Sequence, residues 1–223
     1  MGGTFTVNSG TGTFVGDYTH DKGTMTGSFY LGSGTSNITI NNTIGNGTTN
    51  KIIGEEGADA KLVVNSDVEF ATLANINNIN ISDGNGLTIN NEISNINTIE
   101  IGNDSFYVYN PSKESNHENI TSIINNGTNG TVKFKGGSII SNDVNINSGT
   151  VEIDDNTTVE NYLDLNCDSI NVKNGSTLVL HYGKTTPKIE IENQGIVKIP
   201  AHMSFELDGK ISGGTIEFGD NSF

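Results

Sequence analysis

Apolar and polar residues alternate in short runs that begin with nearly the same phrase. In four runs a Gly is followed by Thr or Ile and then by strict alternation, at 130–134, 149–153, 195–199 and 214–218, and a fifth run at 176–180 begins with Ser. Alternation of this kind is typical of a half-buried β-strand. The steps from the start of one run to the start of the next are 19, 27, 19 and 19. A constant repeat near 19 predicts a coil that lays each strand beside the previous one, and the longer step predicts an insertion at 154–165.

The same period is found earlier in the chain. The step from Ile79 to Ile99 is 20, and the step from Ile89 to Val108 is 19. Residues 1–50 contain strand-like runs with a less regular spacing. Between 110 and 130 a polar stretch that follows Pro111 interrupts the period, which indicates an external loop, a short helix or a linker between two subdomains. We therefore predict one solenoid over 1–223, less regular at 1–50, with a loop or insertion at 110–130.

The repeat favours parallel pairing, because equivalent phrases one full repeat apart fall on equivalent strands of successive turns. A turn of this length has a perimeter of roughly 60 Å, which suits three short strands around a thin core. One turn would hold strands at 131–134, 138–140 and 144–146. The predicted fold is therefore all-β, a right-handed parallel β-helix with about 19–20 residues per turn.

Composition fits a thin-cored coil better than an ordinary globule. Only 33% of the residues are hydrophobic, the net charge is −15, and the 223 residues include 33 Asn but no Arg or Trp. A solenoid needs few apolar residues per turn, whereas Asn tolerates the left-handed conformation at corners and can stack its amides into hydrogen-bonded ladders. We expect asparagine to serve both purposes here.

The acidic surface excludes some partners. A chain with this charge and no Arg repels phosphate backbones and anionic lipids, so neither nucleic-acid binding nor electrostatic membrane binding is expected. No apolar run reaches the ~18 residues of a membrane span, so this segment does not insert into a membrane directly. The single cysteine, Cys167, permits no internal disulfide and belongs to no metal motif.

Catalytic patterns are weak. Asp154–Asp155 and Glu55–Glu56 are adjacent pairs whose side chains point to opposite faces of a strand, which is a poor arrangement for a pair of acid–base carboxylates. The four histidines show no metal-ligand spacing. No cofactor is expected, although the acidic turns 83–85 and 219–221 offer oxygen ligands for calcium. We expect a protein that is not an enzyme, with a polysaccharide-acting β-helix enzyme as one alternative.

The phrases at 79–89 and the repeated Gly-Thr steps resemble passenger domains of bacterial autotransporters, above all the Asn- and Gly-rich rickettsial surface-antigen type. The resemblance covers about 60–109 and 130–219. It implies a fragment of a longer passenger, exported across the outer membrane to the cell surface and acting as an extracellular rod in adhesion or surface-layer formation. The implied partner is a protein or glycan on a host or neighbouring cell. The alternative is self-association, as a filament or surface-lattice subunit stacked through open solenoid ends.

Aromatic residues in the two irregular regions are the candidate contact residues. Tyr18, Phe29 and Tyr30 fall in the stretch 17–35, and Tyr107 and Tyr109 fall at the start of the interruption near 110. Tyrosine and phenylalanine are frequent in binding surfaces, but on a strand they also serve as core residues, so the sequence supports both interpretations.

Overall fold

The chain forms a coil of short strands in a computed structural model. The structure describes residues 15–21, 27–44, 49–117, 120–127, 129–144, 146–164, 166–181, 183–185, 187–203, 205–207 and 209–222. These residues contain twenty β-strands and no helix. The strands are β1 Asp17–His20, β2 Ser28–Leu31, β3 Thr35–Ile40, β4 Lys51–Gly54, β5 Asp59–Val64, β6 Val68–Ile81, β7 Gly86–Ile101, β8 Phe106–Tyr109, β9 Ser115–His117, β10 Ile120–Asn125, β11 Thr131–Phe134, β12 Ile139–Asn142, β13 Thr150–Ile153, β14 Thr158–Asn161, β15 Ser169–Val172, β16 Thr177–Leu180, β17 Gly183–Thr185, β18 Lys188–Ile199, β19 Phe205–Leu207 and β20 Ile211–Phe218.

Every pair of hydrogen-bonded strands among the described residues is parallel, and eighteen strands form one continuous sheet that coils on itself. One side of the coil holds β1, β3, β5, β10 and the ends of β6 and β7. A second holds β2 and β4 and, later, β12, β14 and β16. A third holds β8, β11, β13 and β15. The prediction of an all-β parallel β-solenoid is confirmed, with about nine turns.

The same repeat holds on two sides of the coil at once. On the third side Val132 pairs with Val151 and Val151 with Ile170, a step of 19 each time. The run that begins at Ser176 lies on the second side, where Leu178 pairs with Val159. The predicted insertion at 154–165 is therefore wrong, because the longer step connects phrases on two different sides of the coil.

The interruption at 110–130 belongs to the coil. Residues 115–117 and 120–125 form β9 and β10, and no helix is found among the described residues there. Residues 110–114 lie outside any strand, with 112–114 exposed, so a surface loop lengthens this turn, in which Thr131 pairs with Phe106 at a step of 25. Beyond it, the described part of the first side continues as a single parallel bridge between Ile123 and Ile146.

Alternation along each strand separates the core from the surface. In β13 Val151 and Ile153 point inward and are buried, whereas Thr150 and Glu152 point outward. The same inward positions recur from turn to turn, so the core is a column of stacked side chains. Corners use residues with positive φ, eleven of them Gly among the described residues, and the residues other than Gly are mostly Asn, as the composition predicted. These are Asn75, Asn95, Asn129, Asn156 and Asn221, together with Asp104, Asp155 and His202.

Candidate functional site

The outer surface carries asparagine ladders, most of which donate toward the preceding turn. Asn65 donates from Nδ2 to Asn41 Oδ1 (2.7 Å), and Asn41 donates in turn to Asp21 (2.7 Å). Asn110 likewise donates to Asn90 (2.8 Å), which donates to Glu69 (3.3 Å). The stacking of amides predicted from the Asn content is therefore present. In these ladders each amide presents its NH₂ group to the preceding turn and its oxygen to the following one. Asn80 donates the other way, to Glu100 on the following turn (3.2 Å).

A carboxylate at the start of a ladder explains this direction. Ionised Asp and Glu only accept hydrogen bonds, so the next amide must turn its donors toward them. The same arrangement recurs in shorter ladders, which are Asp17–Asn37, Asp59–Asn77, Asp83–Asn103 and Asp104–Asn129. A consequence is that the last amide of a ladder leaves its oxygen available to another donor.

An open groove crosses the surface where β6 and β7 pass from the second side of the coil to the first. We call it the asparagine groove and define it by Glu56, Asn75, Asn77, Asn95, Asn97 and Thr121. The corner is tight in the turns of β6 and β7, because both continue through it as unbroken strands. The preceding turn makes a wider bend at the same corner, at 55–58. The groove has a volume of about 750 Å³.

One ladder forms the floor of the asparagine groove. Asn95 donates from Nδ2 to Asn75 Oδ1 (2.9 Å), and Asn75 donates to the carbonyl oxygen of Gly54 (2.7 Å). Both residues have positive φ, 54° at Asn75 and 53° at Asn95, so each corner amide is fixed by its backbone as well as by its partner. The polar groups on the floor are therefore held in place before any ligand arrives.

The three N-terminal aromatic candidates lie on or near the surface. Tyr30 in β2 is 39% exposed. Tyr18 and Phe29 are half-buried and contact each other, with ring centroids 5.2 Å apart. Burial raises the pKa of Tyr18 above its ordinary value. Of these three, Tyr30 is the side chain best placed to contact a partner.

The other two aromatic candidates lie in the core. Tyr107 and Tyr109 point inward from β8 and are 0% and 1% exposed. The interpretation of these two as contact residues is wrong, because β8 continues the alternation of the strands that it pairs with and places positions 107 and 109 inside. Phe106 and Val108 are the outward residues of that strand.

Tyr107 belongs to a buried polar column that runs inside the coil through Tyr107, His117, Asn142 and Asn161. Tyr107 Oη lies 3.0 Å from His117 Nε2, and His117 Nδ1 lies 2.9 Å from Asn142 Oδ1. Asn142 donates to Asn161 Oδ1 (2.9 Å). Since Asn142 Oδ1 can only accept, the proton of neutral His117 sits on Nδ1, and Nε2 accepts from Tyr107. Every polar group in this chain of contacts has a partner.

The environment of the column keeps His117 neutral. Its side chain is fully buried, and burial lowers its pKa from 6.5 to about 4, against the opposing effect of the hydrogen bond to Asn142. Phe134 packs edge-on against the imidazole ring, with centroids 5.1 Å apart. The same burial raises the pKa of Tyr107 well above its ordinary value. The sequence signal for the column was that Asn142 and Asn161 are one repeat apart, at positions occupied in the following turns by Leu180 and Ile199.

The acidic turn at 83–85, one of the two considered for calcium, has protein partners. Asp83 accepts hydrogen bonds from the backbone and side chain of Asn103 (2.8 and 2.9 Å), which lower its pKa. Asn85 donates to the carbonyl oxygens of Ser82 and Asp83. Across the described residues, no three side chains of His, Cys, Asp or Glu gather closely enough to hold a metal ion. Cys167 is buried, and burial raises its pKa to about 12.

A ladder of ion pairs covers the third side of the coil. Lys133 lies 3.2 Å from Glu152, and Lys173 bridges Glu152 and Glu192 at 3.8 and 3.2 Å. The pKa of Lys173 is raised, chiefly by its hydrogen bond to Glu192. These half-exposed ion pairs recur at the spacing of the repeat and connect neighbouring turns.

Strand β20 exposes apolar residues at positions that are buried in the preceding turn. Ile216 and Phe218 of β20 are 39% and 66% exposed. Their partners on the preceding turn, Val197 and Ile199, are buried at 0% and 8%. The apolar column of the coil therefore opens to solvent at β20.

Comparisons with known proteins add no family to this description. No family model, no curated protein and no solved structure matches the chain. In the described part of the chain, no helix is long and apolar enough to cross a membrane.

Proposed function

We propose that this chain is part of an extracellular surface rod that acts in adhesion or surface-layer formation and carries out no catalysis. The observation that supports it is the continuous stack of about nine parallel turns. At about 4.8 Å per turn the stack is roughly 40 Å long. Backbone ladders join successive turns, and amide ladders or ion pairs add further links between several of them, which makes a stiff spacer.

The resemblance to autotransporter passengers of the rickettsial surface-antigen type supports the same proposal. In that setting the rod would be exported to the bacterial cell surface. Its partner would be a protein or glycan on a host or neighbouring cell, and Tyr18, Phe29 and Tyr30 form the proposed contact region.

Labelling of intact cells tests the location. An antibody raised against the purified chain is applied to unbroken cells of the source organism, with and without prior treatment by an external protease. We expect surface labelling that the protease removes. Labelling only after the cells are broken open would refute a surface role.

Binding to cultured cells tests the contact region. The purified chain is labelled and its retention on cells is compared with that of Tyr30→Ala. The matched control is Ile139→Ala, which removes another exposed apolar side chain (41% exposed) on a separate strand. We expect reduced retention for Tyr30→Ala alone, and equal retention of all three proteins would refute the assignment of this contact region.

The exposed apolar residues of β20 support a second candidate function, a self-associating filament or lattice subunit. A second copy that pairs with β20 would continue the ladder and cover Ile216 and Phe218. Sizing of the purified chain over a range of concentrations, with Ile216→Asp/Phe218→Asp as the variant, tests it. Concentration-dependent assemblies that the variant abolishes are the expected result of this function, and discrete monomers at all concentrations would refute it.

A further inference from the structure

The asparagine groove has the chemistry of a site for a neutral, hydroxyl-rich chain. Asn77 uses its NH₂ group to bond Asp59 (3.0 Å), and Asn95 uses its own to bond Asn75 (2.9 Å), so the Oδ1 atoms of Asn77 and Asn95 remain acceptors for a ligand. Asn97 is exposed, and its side chain makes no hydrogen bond with a described residue, so it offers both a donor and an acceptor. The groove therefore combines acceptors and a donor on a fixed floor.

We propose that the asparagine groove binds uncharged carbohydrate chains. Sugar hydroxyls donate and accept at the same time, and this matches a floor of amide oxygens flanked by a free amide and a hydroxyl at Thr121. The proposal rests on the proposed adhesive role and names the ligand class for it.

Charge in the groove selects against acidic glycans. Glu56 lines one wall, and no Lys is among the described residues that line the groove. A sulfated or carboxylated sugar would face this carboxylate without a cation to pair with, in a chain whose net charge is −15. An uncharged chain meets no such repulsion.

An extended peptide fits the groove less well than a sugar. The apolar residues beneath it, Ile96 and Ile120, are 1% and 4% exposed and offer no pocket for a side chain. The backbone of β6 and β7 is already paired with neighbouring turns, so neither strand presents a free edge to a peptide. Hydrogen bonds to the amide side chains are what remains for recognition.

Retention of the purified full chain on immobilised polymers tests the inference. The probes are neutral oligosaccharides of glucose, galactose and N-acetylglucosamine, with heparin as a sulfated chain and gelatin as an extended polypeptide. We expect retention on at least one neutral oligosaccharide, little dependence on salt, and no retention on heparin. Retention only on heparin or gelatin, or on none of the probes, would overturn the inference.

Two variants locate the site. Asn97→Ala/Thr121→Val removes two exposed polar groups without touching the floor ladder, and we expect roughly tenfold weaker binding from the lost hydrogen bonds. Asn147→Ala, another exposed asparagine on a later turn, is the control and should bind like the unaltered chain. Circular dichroism and thermal melting confirm that both variants remain folded. Equal binding by all three proteins would overturn the assignment to this groove.

Failure of this inference is distinguishable from failure of the proposed function. If the chain is labelled at the cell surface and the Asn97→Ala/Thr121→Val variant still binds cells, the assignment of binding to the asparagine groove is contradicted. The proposal of a surface rod is then unaffected. Oligosaccharide binding by a chain that is never found at the cell surface contradicts the rod.

Discussion

His117 should make the stability of the coil depend on pH, because its imidazole is buried in the folded chain and must be neutral there. The folded pKa is about 4 and the ordinary value is 6.5. Between these values the unfolded chain binds a proton that the folded chain does not, so the free energy of unfolding falls as the pH is lowered. The contribution of His117 is complete above about pH 6.5 and is lost as the pH falls toward 4.

The size of the effect follows from the shift in pKa. A shift of one unit corresponds to about 1.4 kcal/mol, so the full loss is about 3 kcal/mol and the loss at pH 5 is about 2 kcal/mol. Carboxylates also titrate in this range, so a single pH series on the unaltered chain would mix their contributions with that of His117. A variant that removes only this titration isolates it.

His117→Gln is the variant of choice, because its amide oxygen can accept from Tyr107 while its NH₂ group donates to Asn142. Urea denaturation of both proteins at pH 7.5 and pH 5.0, followed by circular dichroism, gives four free energies. We expect the unaltered chain to lose about 2 kcal/mol more than His117→Gln on acidification. His202→Gln, at an exposed turn, is the control for loss of a histidine and should behave like the unaltered chain. An equal loss in the unaltered chain and His117→Gln would refute the reasoning.

Three further predictions concern buried amides, corners and ion pairs. Asn125→Ala should change the free energy of unfolding by less than about 1 kcal/mol in urea titrations, because neither polar atom of this buried side chain has a hydrogen-bond partner among the described residues. Asn142→Ala should cost about 2–4 kcal/mol, because it leaves His117 and Asn161 unpaired. Equal costs for the two variants would contradict this reasoning. Gly57 and Gly149 have φ near +78°, so an Ala at either position should cost about 1–2 kcal/mol for that conformation. A Cβ at Gly149 would also lie 1.9 Å from Asn125 Nδ2 and 2.8 Å from the carbonyl oxygen of Gly130, while Gly57 is open, so Gly149→Ala should cost more than Gly57→Ala. Asn125→Ala should relieve part of this excess in a double-mutant cycle, and additive costs would refute the clash with Asn125. Lys173→Met should lower the free energy of unfolding by less than about 1 kcal/mol, and by less still in 1 M NaCl, because the ion pairs of Lys173 are half-exposed. A loss that salt leaves unchanged would show that packing of the side chain matters instead.

The periodicity of the sequence is sufficient to predict the fold, but not to predict which side of the coil each strand lies on. Alternation predicted strands such as 150–153 and 177–180 correctly, and the constant spacing predicted the parallel stack. Every side of the coil uses the same alternation of inward and outward positions. Thr150 and Thr177 therefore look equivalent in sequence although they lie on different sides, and the step between them was misread as an insertion.

The buried polar column and the asparagine groove depend on information that single-strand patterns lack. His117 lies 25 residues before Asn142, so its alignment with the column depends on the length of one unusually long turn. The groove exists because β6 and β7 turn a corner tightly beside a wider bend at 55–58, and corner widths are set by packing between turns. Tyr107 was misassigned for the same reason, since its inward direction follows from its pairing with Val132.

The amide ladders bear on how such a rod meets other molecules. Asp21, Glu69 and Asp83 are paired with neutral amides, which stabilise the carboxylates by hydrogen bonds without neutralising them. The chain therefore keeps a net charge of −15 while its turns are held together. Rods with this charge repel one another when they lie side by side, because their long surfaces carry the same sign. An uncharged ligand in the asparagine groove avoids this repulsion, whereas a second copy that pairs with β20 carries the same charge and would have to overcome it.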